Sequence, residues 1–102
     1  MGFFTRYYSL GELTETEKKA VITAMVILKK VDASLDCSTV IDAIEKDKLT
    51  KGQMIAVREV AKLFREKVLP NREIYTETDP AKREKYTQIM KKAEDLVTEK
   101  IG

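Results

Sequence analysis

Residues 14–31 read Thr14-Glu-Thr-Glu-Lys-Lys-Ala-Val-Ile-Thr-Ala-Met-Val-Ile-Leu-Lys-Lys-Val31, and this stretch decides the fold class. Val21, Ala24, Met25, Leu28 and Val31 recur at the i, i+3, i+4, i+7 spacing of an α-helix. Ala20, Ile22, Val26 and Ile27 carry apolar surface well beyond one stripe, which predicts a central helix wrapped on several sides by others. Thr14 and Glu17 form the S/T-x-x-E pattern of a capping box at its start. Lys29 and Lys30 suit the negative pole of the helix dipole at its end. The same residues do not make a membrane span: Thr23 interrupts the apolar run, which falls far short of the roughly 20 residues a bilayer requires.

Three further helices follow outward from this one. Cys37, Val40, Ile41 and Ile44 predict a short helix over 37–47, with Asp36 as its N-cap. Thr50 and Gln53 repeat the capping-box pattern ahead of a helix over 51–68, whose apolar face is Met54, Val57, Ala61, Phe64 and Val68. Pro70 disfavours helix at the residue before it. Residues 71–78 read as irregular, pinned by Ile74 and Tyr75. Asp79 and Pro80 then open a last helix to 101 as N-cap and first helical residue. Its stripe is Tyr86, Ile89, Met90, Ala93, Leu96, Val97 and Ile101.

The expected fold is all-α: a small four-helix bundle in one domain over 1–102, with an aromatic lead over 1–13 and the bundle over 14–101. Composition agrees. A chain of 102 residues suits one core, 43% of it is hydrophobic and 35% charged, and four glycines and two prolines leave few turns for a sheet protein. One cysteine rules out an intrachain disulfide and makes a reducing cytoplasm the natural compartment. Residues 1–8 lack the basic region and long apolar run of a secretory signal, and Arg6 stands where N-myristoylation after Gly2 would want Ser or Thr.

Catalysis is not expected. There is no histidine to activate Cys37, which falls on an apolar stripe, and no phosphate-cradling glycine loop or Cys/His zinc pattern. No cofactor is implied. From Asp32, an EF-hand would want glycine at its sixth position and glutamate at its twelfth, where this chain has Cys37 and Ala43. Leu13–Ile44, with Val-Asp-Ala-Ser-Leu-Asp after its helix, resembles the first helix and Asp-rich turn of the tellurite-resistance TerB-like domains. Asp32 and Asp36 match that family's pattern, whereas Ala33 and Thr39 stand where it carries glycine and glutamate. The resemblance implies a degenerate helical domain with a weak metal turn at Asp32 and Asp36; the plainer reading is that both end one helix and cap the next.

Charge offers an alternative function. Residues 46–68 hold seven basic and three acidic side chains, while 1–45 lean acidic and 69–102 balance. Lys51, Arg58, Lys62 and Arg65 in the third helix, after a short second one, fit a backbone-reading nucleic-acid surface of helix-turn-helix type. The connection carries Asp47 and no glycine, and Glu59 and Glu66 dilute the charge. The preferred expectation is a small non-catalytic protein-interaction module, a regulator or inhibitor of bacterial or phage type. Its contact residues are Phe3, Phe4, Tyr7 and Tyr8 in the lead, and Ile74 and Tyr75 in the irregular segment. Either a protein partner or a second copy would cover them. The competing reading of the lead is a lid that packs its rings on the bundle's own core.

Overall fold

Two threonines set where helices begin. In the computed structural model, which describes residues 6–35 and 37–102, the Thr14 amide donates to Glu17 Oε1 at 2.8 Å and the Glu17 amide to Thr14 Oγ1 at 3.1 Å. Thr50 and Gln53 repeat the exchange at 2.8 and 3.2 Å. Each reciprocal pair satisfies two amides that helix geometry leaves without partners. They open α1 (Glu15–Val31) and α3 (Lys51–Leu63). Between them lies α2 (Ser38–Lys46), and α4 (Pro80–Ile101) completes the bundle. Asp79 caps α4 by accepting from the Ala81 amide at 2.9 Å, with Pro80 in the first turn, as expected.

The fold is all-α, and among the described residues no strand forms beyond a single antiparallel bridge between Tyr8 and Leu49. One core holds buried residues from the lead, all four helices and the turn after α3. Val21, Ala24, Met25 and Leu28 are buried in it as the periodicity requires.

Three expectations need correction. The first concerns the centre. α1 packs against α2, α3 and α4 as expected, but its apolar surface is not enclosed all round: Val26 is 44% and Val31 51% exposed, and Ile22 and Ile27 are only half-buried. α3 likewise lies against the other three helices, and the most extensive contact in the bundle is the one between α3 and α4. Apolar residues can sit singly at a surface at little cost, so the breadth of the α1 stripe overstated its enclosure. The second concerns α3 itself, which does not run as one α-helix to Val68. Phe64–Val68 form a π-helical turn, closed by the Leu69 amide donating to the Phe64 carbonyl at 2.9 Å. Phe64, Val68 and Leu69 are all buried in the core around this wider turn. The third concerns α2, which begins at Ser38 with Cys37 in the N-cap position; Asp36 lies outside the described residues.

The α2–α3 connection turns on Asp47. It adopts the left-handed conformation (φ 54°, ψ 43°) that ends α2, a role in which aspartate is tolerated better than most residues. Its carboxylate reaches back to the lead, accepting from Ser9 Oγ at 2.5 Å and from the Leu10 amide at 2.8 Å. Gly11 lies over this pair, with room for a Cβ only 3.2 Å from Ser9 Oγ. Lys100 near the end of α4 donates to the Ser9 carbonyl and to Glu12 Oε1. With the Tyr8–Leu49 bridge, these bonds seat Leu10, fully buried, as a plug in the core.

Burial opposes the charge on Asp47, but Ser9, the Leu10 amide, Lys18 and Lys100 outweigh it and hold the carboxyl below its ordinary value. Lys92 and the Thr14 amide likewise hold Glu17 down. A depressed folded value gives stability that is complete above the ordinary carboxylate range and is lost as pH falls through it. The urea midpoint is therefore expected to stay level near neutrality and to fall below about pH 5, with a shallower fall in Glu17→Gln/Asp47→Asn. Asp47→Ala is expected to destabilise the chain by about 2–3 kcal/mol, combining left-handed strain with two lost hydrogen bonds. Asp47→Gly relieves only the strain and should recover about 1 kcal/mol of that loss in the same unfolding measurement.

Candidate protein-binding groove

α1 and α4 run antiparallel, as their cross-links show: Glu17 accepts from Lys92 Nζ at 2.8 Å, and Glu12 from Lys100 Nζ at 2.7 Å. Away from those links the two helices leave an open groove of about 800 Å³, closed at one end by the segment after the π-turn. α1 lines it with Thr16, Lys19, Ala20, Thr23 and Ile27, and α4 with Lys82, Lys85, Tyr86 and Ile89. Ile74, Tyr75, Thr76, Glu77 and Thr78 form the end wall. A second hollow of about 510 Å³ shares Thr16, Lys85 and Ile89 and continues the groove toward Glu17 and Lys92. The floor is apolar, and the rim carries Lys19, Lys82 and Lys85 against one carboxylate, Glu77.

The end wall is held in place by aromatic packing and by one arginine. The Tyr75 ring meets Phe64 edge-on at 5.9 Å and Tyr86 at 5.8 Å, and Phe64 lies 5.9 Å from Tyr86. Burial, with Tyr86 and Glu77 adding to it and Arg83 opposing, pushes the Tyr75 phenol above its ordinary value. Arg83 fans its guanidinium onto the Leu69 carbonyl, the Tyr75 carbonyl at 3.4 Å and the Glu77 carbonyl at 3.1 Å. It also stacks over the Tyr75 ring at 5.3 Å. The fixed fork of arginine, with several donors in one plane, is what lets one side chain tie three points of an irregular segment to α4.

Of the six contact residues read from the sequence, the structure brings two together here: Ile74 and Tyr75 share the groove. The lead is elsewhere and is divided. Tyr8 packs on the core beneath Arg6, and Tyr7 stays 49% exposed, with Lys48 Nζ 4.6 Å from its ring centre. Phe3 and Phe4 lie outside the described residues. Sequence reasoning missed the α1 half of the groove, because Thr16, Thr23 and Lys19 read as ordinary solvent positions. It also missed Arg83, whose partners are backbone carbonyls that no side-chain pattern announces.

The four cations of the alternative reading share one stripe of the third helix and its π-turn, but α4 lies alongside it. Arg65 is drawn into a two-point ion pair with Glu94 at 2.8 and 3.1 Å, and Arg58 donates to Thr98 Oγ1 at 3.4 Å; Lys51 and Lys62 are exposed. α3 is also the helix most enclosed by the others, which is unlike an element that enters a DNA groove. Asp32 accepts from the Ser34 amide at 3.0 Å and Ser34 Oγ at 2.6 Å, closing the turn after α1; its proposed metal partner Asp36 lies outside the described residues. Among the described residues no three metal-ligating side chains gather, and no helix is long and apolar enough to cross a membrane.

Fold and groove together define a class: an all-α bundle with an open valley between its first and last helices, floored by half-buried apolar side chains. No protein-family model, curated protein or solved structure matches the chain, so none adds to the resemblance that Asp32 and Asp36 carry. Arg83→Ala is expected to loosen the end wall without unfolding the bundle. Tryptic cleavage after the exposed Arg72 should accelerate at least about tenfold, the factor expected when a charged hydrogen bond of about 1.5 kcal/mol is lost, while the far-ultraviolet circular dichroism stays unchanged.

Proposed function

We propose that this chain is a small non-catalytic protein-interaction module of the cytoplasm, a regulator or inhibitor that works by seating part of a partner between α1 and α4. The observation that carries the reading is the uncovered groove. Ile27, Ile74, Tyr75 and Tyr86, each half-buried, offer an apolar floor at a surface where a small bundle would gain by burying it. Composition supports the non-catalytic part. The chain has no histidine, the commonest general acid–base side chain, and its one cysteine is buried in the core. Ile74 and Tyr75 belong to this surface, and Tyr7 to a separate one beside α2 and Lys48.

The test is site-specific photo-crosslinking in the native host. A benzophenone side chain at Thr23, inside the groove, is expected to give a discrete adduct that Ile27→Glu suppresses, while the same group at Ile55 on α3 gives none. The adduct is then confirmed by titrating the purified partner against the chain. Equal labelling from both positions, or none from either, would count against the groove as a partner site.

A further inference from the structure

We infer that the occupant of the groove is an acidic amphipathic α-helix of about three turns from a different protein; this rests on the groove being a partner site. Three observations select that chemistry. The first is shape. The two long walls are helices whose backbone groups are already bonded internally, and only the short Ile74–Thr78 end offers irregular backbone, so an extended peptide would find no long edge to satisfy its own amides. A helix brings its backbone bonds with it and needs only a valley for one apolar face. The second is length. From Thr16 to Ile27 the α1 wall covers eleven residue steps, about 17 Å at 1.5 Å per residue, which is three helical turns. The third is charge. Lys19 and Lys85 are exposed and in no ion pair among the described residues, and Lys82 lies a loose 4.0 Å from Glu77, so the rim is net positive. Rim charges of this kind select the partner and speed its arrival more than they tighten it.

A second copy of the chain fits poorly. Its exposed large apolar side chains among the described residues are Tyr7, Val26, Val31 and Ile55. Val26 and Val31 flank Lys29 and Lys30, which would face the lysine rim with like charge.

The experiment is selection of phage-displayed random peptides of about 16 residues, long enough for the groove with flanks, on the intact chain, followed by titration of the synthetic winners. Winners are expected to be net negative with apolar residues at i, i+3 or i+4, and i+7, and to become helical on binding. They should shift the amide resonances of Ala20, Thr23 and Tyr75. Binding should weaken at least about tenfold in Lys19→Glu/Lys85→Glu and fall with added salt. Thr23→Arg, at an exposed position, should block the groove without touching the core, which covers the case in which Ile27→Glu misfolds. Winners that shift the same resonances but are basic, neutral or extended overturn the acidic-helix assignment and leave the groove standing. Self-association of the chain that Thr23→Arg abolishes would assign the groove to a second copy and likewise overturn it. Winners indifferent to Thr23→Arg, or no winners at all, overturn the groove itself.

Discussion

The seam between α3 and α4 is the constraint from which the remaining geometry follows. α3 and α4 make the most extensive contact in the bundle; Met54, Val57, Val60 and Ala61 of α3, Phe64 and Val68 of the π-turn, and Ile89, Met90, Ala93, Leu96 and Val97 of α4 are all buried in the one core. Ala61 and Ala93 are fully buried small residues, and Phe64, in the π-turn, packs its ring against Tyr75 and Tyr86. Burial of side chains of this size contributes about 1.5–3 kcal/mol each, far more than any surface ion pair in the molecule. Once this pair is fixed, α1 has one face to pack and one to leave in water.

That asymmetry explains the groove. α1 touches α2, α3 and α4, but the lysine and threonine positions along its α4 side leave Ile27 and Tyr86 only half-covered. In a four-helix arrangement of this size another helix would fill such a valley. Here α2 is short, nine residues, and is engaged on the other side through Val40, Ala43 and Ile44. The segment from 71 to 79 covers only one end.

Two polar side chains then fix what apolar packing leaves undetermined. Asp47 ties the lead to the α2–α3 corner, and Arg83 ties the 69–77 backbone to α4. Both act on backbone groups of irregular segments, which lack the internal hydrogen bonds of a helix and are otherwise the least stable parts of a small domain. Arg83 thereby becomes a positioning residue for Ile74 and Tyr75, although it contributes nothing to the groove floor.

The sequence by itself determined the helices, their caps and the buried stripes. Thr14–Glu17, Thr50–Gln53 and Asp79–Pro80 act through bonds no more than four residues long, and the 3.6-residue period of Val21, Met25 and Leu28 or of Met90, Ala93 and Val97 is local too. What only the tertiary structure decided is everything that depends on distant partners. The α1 stripe was broad enough to read as enclosed all round, and only the packing of the other helices decided that Val26 and Val31 face solvent. Leu10 and Leu49 became core because Asp47, 37 residues beyond Leu10, held the lead down. The π-turn, the Arg83 fan and the groove arise from how helices of fixed period meet, and periodicity along one chain carries no information about the gap left between two.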